Sequence, residues 1–388
     1  MRSQKVLFEA FAAKKSKDGT AYMKDRSRQI WQIAAGEAGR FYSDLFLQHD
    51  VMFLGPGDIG EYSKEAYTKA IAYGWAGSGI VSDIASFHSN VREGDFVLMR
   101  NGLQVKSVGV VAGPYAWSSA FDDVYGWSLQ HMRRVIWQEH LDNDLERLQI
   151  NGPLFKSRKQ MHTFTRCNDS SVLNPIEPLL DLIRKRDLRA LPLPLPDPLS
   201  LDEVGQELFA RGIANDSVEK LLAAIARQRR LLHWYSHFGI ASGRPTEHEV
   251  VAHTVLPLLM ALGWSEQLLA IEWKRVDLAV FRTTPSTSSN CVLICEAKIR
   301  NHGLQDVRKQ AFRYVSGLGL SDCRKVLVTD GGRFYLYQRP VGQDEWNDQA
   351  VGYLNIEKIR TNHLAPPNTN AIDTIVALTP AAAGRPIQ

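Results

Sequence analysis

The stretch "CVLICEAKIR", residues 291–300, decides the fold of the C-terminal half, because it sets a glutamate and a lysine one residue apart within an otherwise apolar run. Alternate residues of a strand share a face, so Glu296 and Lys298 project to the same side. The preceding stretch "EWKRVDLAVF" predicts a neighbouring strand that brings Asp277 beside Glu296. Two adjacent carboxylates repel each other unless a cation lies between them, and oxygen ligands of this kind suit Mg²⁺.

The elements around these two strands follow a definite order. The stretch "TEHEVVAHTVLPLLMALGW" predicts a helix before them, and "QAFRYVSGLGLSDCRKVLVTDGGRFYLY" predicts a helix and a hairpin after them. This order, with an Asp on one strand and Glu-x-Lys on the next, resembles the PD-(D/E)xK nuclease superfamily. It is most similar to the N-terminal nuclease domain of type I restriction motor subunits. The resemblance implies a restriction-endonuclease-like α/β core over residues 246–345.

The same resemblance implies roles for individual residues. Asp277 and Glu296 match the acids that ligate the metal in that superfamily. Lys298 matches the lysine that positions or helps to deprotonate the attacking water, and Gln310 matches a glutamine that supports the site. The implied cofactor is Mg²⁺, with Mn²⁺ as the alternative. The proline that usually precedes the first acid is replaced here by Val276.

Two glutamates near the start of the first helix compete for a place in the site. Thr246 and Glu249 fit a capping box, in which the glutamate turns back to the N-cap amide. Glu247 lies one turn before Val251, where the buried apolar stripe begins, so we expect Glu247 to face the sheet and the metal. Glu247 is therefore the predicted catalytic residue, and the sequence leaves Glu249 as the alternative.

A basic stretch lies next to the predicted site. Residues 298–313, "KIRNHGLQDVRKQAFR", hold five Lys or Arg residues and one Asp, whereas the whole chain has a net charge of only +4. Such a local excess suits a phosphate backbone better than a small neutral substrate. The sequence therefore favours a nucleic acid as the substrate.

The N-terminal half carries a second resemblance. The stretches "IWQIAAGEAGRFYSDLFLQHDVMFLGPGDIGEY" and "VREGDFVLMRNGLQVKSVGVVAGPYAW" resemble the PUA-like group, in particular EVE and YTH-type readers. Members of this group are small β-barrels that accept a flipped nucleobase in an aromatic pocket. Asp58 and Asp95 are candidate partners for a base edge, with the alternative that Asp95, which follows Gly94, shapes a turn. The aromatic residues proposed for base binding are Trp31, Phe41, Tyr42, Trp75, Tyr115 and Trp117. Each of these rings fits the core of a small β domain equally well.

Composition completes the predicted layout of this α/β and mostly-β protein. The chain has 388 residues and four cysteines, which form no Cys-x-x-Cys pair and are too sparse for a disulfide framework, and this favours a reducing, cytoplasmic location. The predicted domains are a reader (1–165), a helical and Pro-rich connector (166–245), the nuclease (246–345) and a C-terminal extension (346–388), whose tail after Tyr353 we expect to be frayed. No ATPase motif and no membrane-spanning segment is expected.

These observations lead to two hypotheses about function. The first is a modification-dependent DNA restriction endonuclease, in which a reader binds a modified cytosine and a Mg²⁺-dependent domain cuts nearby, working as a homodimer and without ATP. The second is a nucleic-acid-binding sensor or defence effector, in which the nuclease domain acts on RNA or unmodified DNA or is silent. The sequence leaves open which base modification is read.

Overall fold

The protein is described by a computed structural model over residues 28–37, 39–72, 77–138, 163–239, 242–300 and 302–383. The chain divides into two compact units. Unit 1 comprises the described parts of Met1–Glu37, Phe41–Ser118 and Leu129–Pro192, and unit 2 comprises those of Ala38–Arg40, Ser119–Ser128 and Leu193–Gln388. The predicted pocket residue Trp75 lies outside the described residues.

Unit 1 contains an open, mixed six-stranded sheet with the order β4-β7-β6-β5-β1-β8. The β1–β5 pair is parallel, and the other neighbours are antiparallel. The strands are β1 (Ile30–Ala34), β4 (Val51–Leu54), β5 (Phe96–Asn101), β6 (Gln104–Trp117), β7 (His131–Trp137) and β8 (Phe164–Arg166), and the short strands β2 (Gly36–Glu37) and β3 (Arg40–Phe41) form a separate ribbon. The helices are α1 (Ser43–His49), α2 (Lys64–Ala72), α3 (Ser78–Ser89) and α4 (Ser170–Leu180).

The closed barrel predicted for the N-terminal half is wrong for the described residues. Strands β4 and β8 lie at opposite edges of the sheet and do not pair with each other. One apolar face is covered instead by α4, whose Val172, Ile176 and Leu179 pack against residues of β5 and β6 such as Leu98 and Val110. Because a helix buries this face, the sheet has no need to close on itself.

Unit 2 contains a second mixed six-stranded sheet, with the order β14-β13-β12-β11-β10-β9. Its single parallel pair is β11–β12. The strands are β9 (Leu269–Trp273), β10 (Val276–Phe281), β11 (Cys291–Ala297), β12 (Lys325–Thr329), β13 (Arg333–Gln338) and β14 (Gly352–Asn355). The helices are α5 (Leu201–Ala210), α6 (Asn215–Trp234), α7 (Glu247–Val250), α8 (Leu256–Ala261), α9 (Val307–Gly317), α10 (Ala371–Ala377) and α11 (Pro380–Ala383).

Helices cover both faces of this second sheet. On one face, α5, α6, α8 and α10 contribute to a core that includes Leu293 and Cys295 of β11. On the other face, α9 packs with its Ala311 and Val315 against Ile294. An apolar core on each face explains why β11 is buried along its whole length.

The helices of the predicted connector divide between the two units, since α4 belongs to unit 1 and α5 and α6 belong to unit 2. The expectation of a frayed C-terminal extension is wrong for residues up to 383. Strand β14 pairs with β13, and α10 buries Ile372 and Ile375 in the core of unit 2. The sequence of this extension has no continuous apolar pattern, because a loop with Pro366 and Pro367 separates β14 from α10.

Candidate active site

The hairpin of β10 and β11 brings the two predicted metal ligands together. These strands are antiparallel, with Leu278 opposite Cys295, and the same register continued by one residue sets Asp277 opposite Glu296. The Ala297 N–H donates a hydrogen bond of 2.7 Å to Asp277 Oδ2, which fixes the Asp277 side chain against the end of β11. The two carboxylates therefore lie side by side at one end of the sheet of unit 2.

Glu296 is buried and only half satisfied. Its Oε1 accepts hydrogen bonds from Lys298 Nζ at 3.0 Å and from Gln310 Nε2 at 2.7 Å, whereas its Oε2 has no hydrogen-bond partner among the described residues. Burial, together with the negative charge of Asp277, raises the pKa of Glu296 to about 7. Burial of Asp277 likewise raises its pKa, although the bond from the Ala297 amide opposes this shift. The site therefore holds two adjacent acids that resist ionisation together.

Lys298 is the cation of this cluster. It follows β11 directly, where its backbone N–H donates to Thr329 O of β12, and its side chain is 13% exposed. Its ammonium lies 3.0 Å from Glu296 Oε1 and 3.4 Å from Glu247 Oε1. Burial acts against the charge of Lys298, but the bond to Glu296 and the charges of Glu296, Glu247 and Asp277 outweigh it and raise the pKa of Lys298.

The two glutamates of the first helix have different surroundings. Thr246 and Glu249 form a reciprocal capping box at the start of α7, and Arg244 also pairs with Glu249. The hydrogen bond from Arg244 lowers the pKa of Glu249. Glu247, by contrast, reaches Lys298. One turn of π-helix, Val251–Val255, then joins α7 to α8 and ends two residues before Pro257.

Helix α9 supports the site from the other side of the strand end. Gln310 donates to Glu296 and also lies 3.1 Å from the Tyr314 hydroxyl, one turn later on the same helix. Sequence reasoning missed His248, which follows Glu247 directly and whose Nδ1 lies 3.0 Å from Glu272 Oε1. Its position between Glu247 and Glu249 in the first turn of the helix was the available signal.

The residues present fit a Mg²⁺ ion that is completed by water and substrate. Within the described chain, no group of three or more His, Cys, Asp or Glu side chains forms a ready-made metal cage. Mg²⁺ usually takes only one or two carboxylates from the protein and keeps water and phosphate oxygens as its other ligands. Asp277 and Glu296 supply such a pair, and the unpartnered Oε2 of Glu296 is a buried oxygen that a cation would satisfy.

The basic stretch beside the site is largely paired. Arg300 bonds to Glu357, Arg308 lies 3.3 Å from Asp348, and Lys309 lies 3.8 Å from Asp306. Together with Lys298, this accounts for four of the five cations that the sequence placed there. The stretch therefore offers a nucleic acid less free positive charge than its composition indicates.

The aromatic residues predicted for a base pocket in unit 1 are dispersed. Trp31 is buried, stacks on Phe164 at 5.1 Å, and donates from Nε1 to Asp95 Oδ2. Asp95 also accepts from the Gln29 and Arg92 amides, so it organises a turn. Tyr42 packs near the rings of α1 and β4. Phe41 is 36% exposed and Trp117 is 37% exposed.

Tyr115 belongs to a different cluster, which sequence reasoning did not identify. Its hydroxyl accepts from the Tyr62 amide and lies 2.8 Å from Nδ1 of the buried His131, while its ring lies 4.6 Å from that of His88. Burial lowers the pKa of His131 to about 4, so the imidazole is neutral. Arg133 holds this region by donating to the last carbonyls of α3. Unit 1 thus presents Tyr62, His88 and Tyr115 as one half-exposed aromatic group.

A polar cavity of about 420 Å³ lies elsewhere in unit 1. Its lining includes Trp31, Asp83, Ser86, Asn90 and Arg92. Both the size and the mixture of two aromatic residues, Trp31 and Phe164, with several donors and acceptors suit a small polar ligand.

Comparison with known proteins gives one result for this chain. A family model described as a domain of unknown function (DUF8426) matches residues 31–167. The match runs from β1 to β8 and does not include the candidate active site of unit 2. Neither the curated proteins nor the solved structures gave a match. No described helix is long and apolar enough to cross a membrane.

Proposed function

We propose that the protein is a divalent-metal-dependent phosphodiesterase that cuts DNA, with its catalytic site in unit 2 and a base reader in unit 1. One observation carries the catalytic part of the proposal. Glu296 is buried beside Asp277, and its Oε2 lacks a hydrogen-bond partner in the described chain. A buried carboxylate oxygen without a partner is costly to the folded state, so its retention favours a ligand that is bound during function.

The roles of the residues follow from their contacts. A bound metal ion would supply Lewis acidity toward a phosphate oxygen and a water molecule. Asp277 and Glu296 would hold it through their carboxylate oxygens. Lys298 lies between Glu296 and Glu247, where its ammonium offsets phosphate charge and orients the attacking water. Gln310 keeps the Glu296 side chain in one orientation through its bond to Oε1. The resemblance to the PD-(D/E)xK superfamily supports the same assignment.

The reader part of the proposal rests on unit 1. Its resemblance to PUA-like readers and its half-exposed aromatic group support the binding of an unstacked base, preferentially a modified cytosine. Phe41 and Trp117 remain candidates for such a contact because their rings reach solvent. Cutting both strands requires two catalytic sites, so we propose that a homodimer acts, without ATP and in the cytoplasm, where DNA is available.

A direct cleavage assay tests the proposal on the full chain. Duplexes of one sequence carrying unmodified, methylated, hydroxymethylated or glucosylated cytosine are incubated with Mg²⁺ or with EDTA. We expect Mg²⁺-dependent cleavage that favours one modified duplex. Asp277→Ala or Glu296→Ala should lower the rate at least about 100-fold, because each removes a metal ligand.

The matched control for this assay is Asp322→Ala, which removes an acid of the same unit that lies 3.7 Å from Arg282. This variant should cleave like the wild type. Retained cleavage in both site variants would reject the catalytic assignment. Equal cleavage of all four duplexes, or of RNA in their place, would favour the sensor or defence-effector alternative.

A further inference from the structure

The end of α6 and the turn that follows it have an unusual composition. From Lys220 to Pro245 the sequence contains five Lys or Arg residues and no Asp or Glu. The same segment contains "HWYSHF" at 233–238. These residues form the end of α6 and most of the single turn of π-helix that follows it, Tyr235–Gly239. Arg244 pairs with Glu249 outside the segment, but cations that lack such an acidic partner repel one another and are stabilised by an anionic ligand.

The exposed residues of this segment lie on one side of the helix. Leu221, Ile225, Gln228 and Leu232 are buried against the core of unit 2. The opposite side is exposed, and we name it the α6 strip, which consists of Arg227, Arg230, His233, Trp234, His237 and Phe238.

The α6 strip combines unpaired cations with exposed rings. Neither Arg227 nor Arg230 forms an ion pair with a described residue, in contrast to the paired cations of the stretch 298–313. Trp234 is 38% exposed and Phe238 is 65% exposed. The rings of His233 and His237 lie 4.0 Å apart and are tilted by 35°, so they add two exposed imidazoles to the strip.

Contacts within unit 2 connect the α6 strip to the helix that carries Glu247. The Arg244 guanidinium lies 5.3 Å from the Trp234 ring centroid and also pairs with Glu249, two residues after Glu247. The Tyr235 hydroxyl lies 3.0 Å from Nδ1 of His253, which is in the turn of π-helix after α7. The strip is therefore fixed at the beginning of the helix that contributes to the candidate active site.

We propose that the α6 strip binds an unpaired strand of DNA and guides it toward the candidate active site, an inference whose second half rests on the proposed function. The phosphates of the strand pair with Arg227 and Arg230, and unstacked bases lie on Trp234 and Phe238. An unpaired strand suits the strip better than a duplex, because the faces of paired bases are covered by their neighbours. The two arginines, which pair with no acid of the described residues, favour an anionic strand over an apolar protein surface.

The test measures binding to the full chain in EDTA, so that strand cleavage does not interfere. A fluorescein-labelled oligothymidylate of about 12 nucleotides, within the range of known single-strand sites, is titrated and followed by anisotropy. Trp234→Ala/Phe238→Ala should weaken binding at least about 10-fold, since each base–aromatic stack corresponds to roughly 5- to 150-fold. The double variant Arg227→Gln/Arg230→Gln should make the negative slope of log affinity against log salt shallower by about 1.4.

Two controls match these variants. Phe209→Ala removes a ring of α5 that is 62% exposed, and Arg282→Gln removes a half-exposed cation beyond the end of β10. Both should bind the strand like the wild type. The arginine variant tests the proposal even if the aromatic variant is unstable, because Arg227 and Arg230 are exposed and pack against nothing in the core.

The outcomes separate the α6 strip from the proposed function. Weaker binding in both strip variants, but not in the controls, supports the strip even if the wild type never cuts DNA. Wild-type binding in both strip variants rejects the strip even if Mg²⁺-dependent cleavage is observed. A preference for duplex over single strand, or an altered oligomeric state with unchanged DNA binding, also rejects it.

Discussion

Two neighbouring strand ends in unit 2 carry buried carboxylates in opposite conditions. Strands β11 and β12 are parallel, and Glu296 lies at the end of the first while Asp330 follows the second. Asp330 accepts hydrogen bonds from the backbone N–H groups of Gly332 and Arg333 and from the Arg333 side chain, and Arg300 lies nearby at 3.9 Å. Burial alone would raise the pKa of Asp330, but these charges and bonds hold it well below its usual range.

Glu296 has the opposite balance. Burial and the charge of Asp277 raise its pKa to about 7, and one of its oxygens lacks a partner among the described residues. Both carboxyl groups are buried, but the pKa of Glu296 is raised and that of Asp330 is lowered. Asp330 is a structural acid whose cations are part of the fold, whereas Glu296 is left partly unsatisfied, as expected of an acid that binds a ligand.

The largest expected effect is at the structural acid. Asp330→Asn removes the acid that pairs with the buried Arg333, whose side chain is 5% exposed, whereas Arg300 keeps its pair with Glu357. Leaving the buried Arg333 cation without its acid should lower the free energy of unfolding by about 3–5 kcal/mol. Glu296→Gln, measured in the same urea titration, should change it by less than about 1 kcal/mol. If Glu296→Gln proved the more destabilising of the two, the distinction between the acids would be wrong.

A third buried acid gives an intermediate case and a pH dependence. Asp123, in segment Ser119–Ser128 of unit 2, accepts from the Tyr353 hydroxyl and from Asn355 Nδ2, and its Oδ2 lies 4.0 Å from His363 Nε2. Burial raises its pKa to about 6, because neutral donors and the charges of Lys358 and Arg360 only partly offset desolvation. The folded state therefore prefers the protonated form of Asp123.

This raised pKa sets the sign of the prediction. A carboxyl with a higher pKa in the folded state destabilises the protein above that pKa, and this cost disappears as the pH falls from about 7 toward the unfolded pKa near 4. Asp123→Asn should thus be more stable than the wild type by about 2–3 kcal/mol at pH 7, and the difference should vanish near pH 4. His363, 4.0 Å away, has a lowered pKa that acts in the opposite direction and is present in both proteins. A difference independent of pH would show that folding does not raise the pKa of Asp123.

The smallest expected effects separate Glu247 from Glu249. Glu247→Gln should reduce cleavage by about 10-fold with little change in melting temperature, because it weakens the electrostatic contact to Lys298. Glu249→Gln keeps an acceptor for the capping box and loses only an exposed ion pair with Arg244, so its stability should change by less than about 1 kcal/mol and its cleavage should not change. The reverse pattern would transfer the catalytic role to Glu249.

The sequence predicted some features of the candidate site because they depend on local rules. Strand alternation and the Glu-x-Lys spacing predicted that Asp277, Glu296 and Lys298 lie together, and residue chemistry predicted the capping box at Thr246. The turn between β9 and β10 was not predictable, since Lys274 and Arg275 adopt positive φ angles without a glycine or asparagine. The register of β10, and with it the position of Asp277, depends on how β10 pairs with β9 and β11.

The sequence could not reveal long-range polar pairing. Asp122 pairs with Lys358 and Arg360, more than 230 residues away, and no local pattern marks either end of this contact. The predicted barrel was wrong for a related reason, because alternation along single strands does not determine which edges pair. A fragment ending near residue 165 is a poor test of the reader. It would contain Asp122 and Asp123 without the rest of unit 2, to which they belong.

The most direct test of the central claim is a calorimetric titration of Mn²⁺ into the full chain without DNA. If Asp277 and Glu296 form the metal pair, the wild type and the control Asp322→Asn should show saturable binding, and Glu296→Gln should bind at least about tenfold more weakly. The free energy of unfolding of Glu296→Gln should remain close to that of the wild type. Equal Mn²⁺ affinity in all three proteins, or no saturable binding in the wild type, would contradict the assignment of Glu296 as a metal ligand.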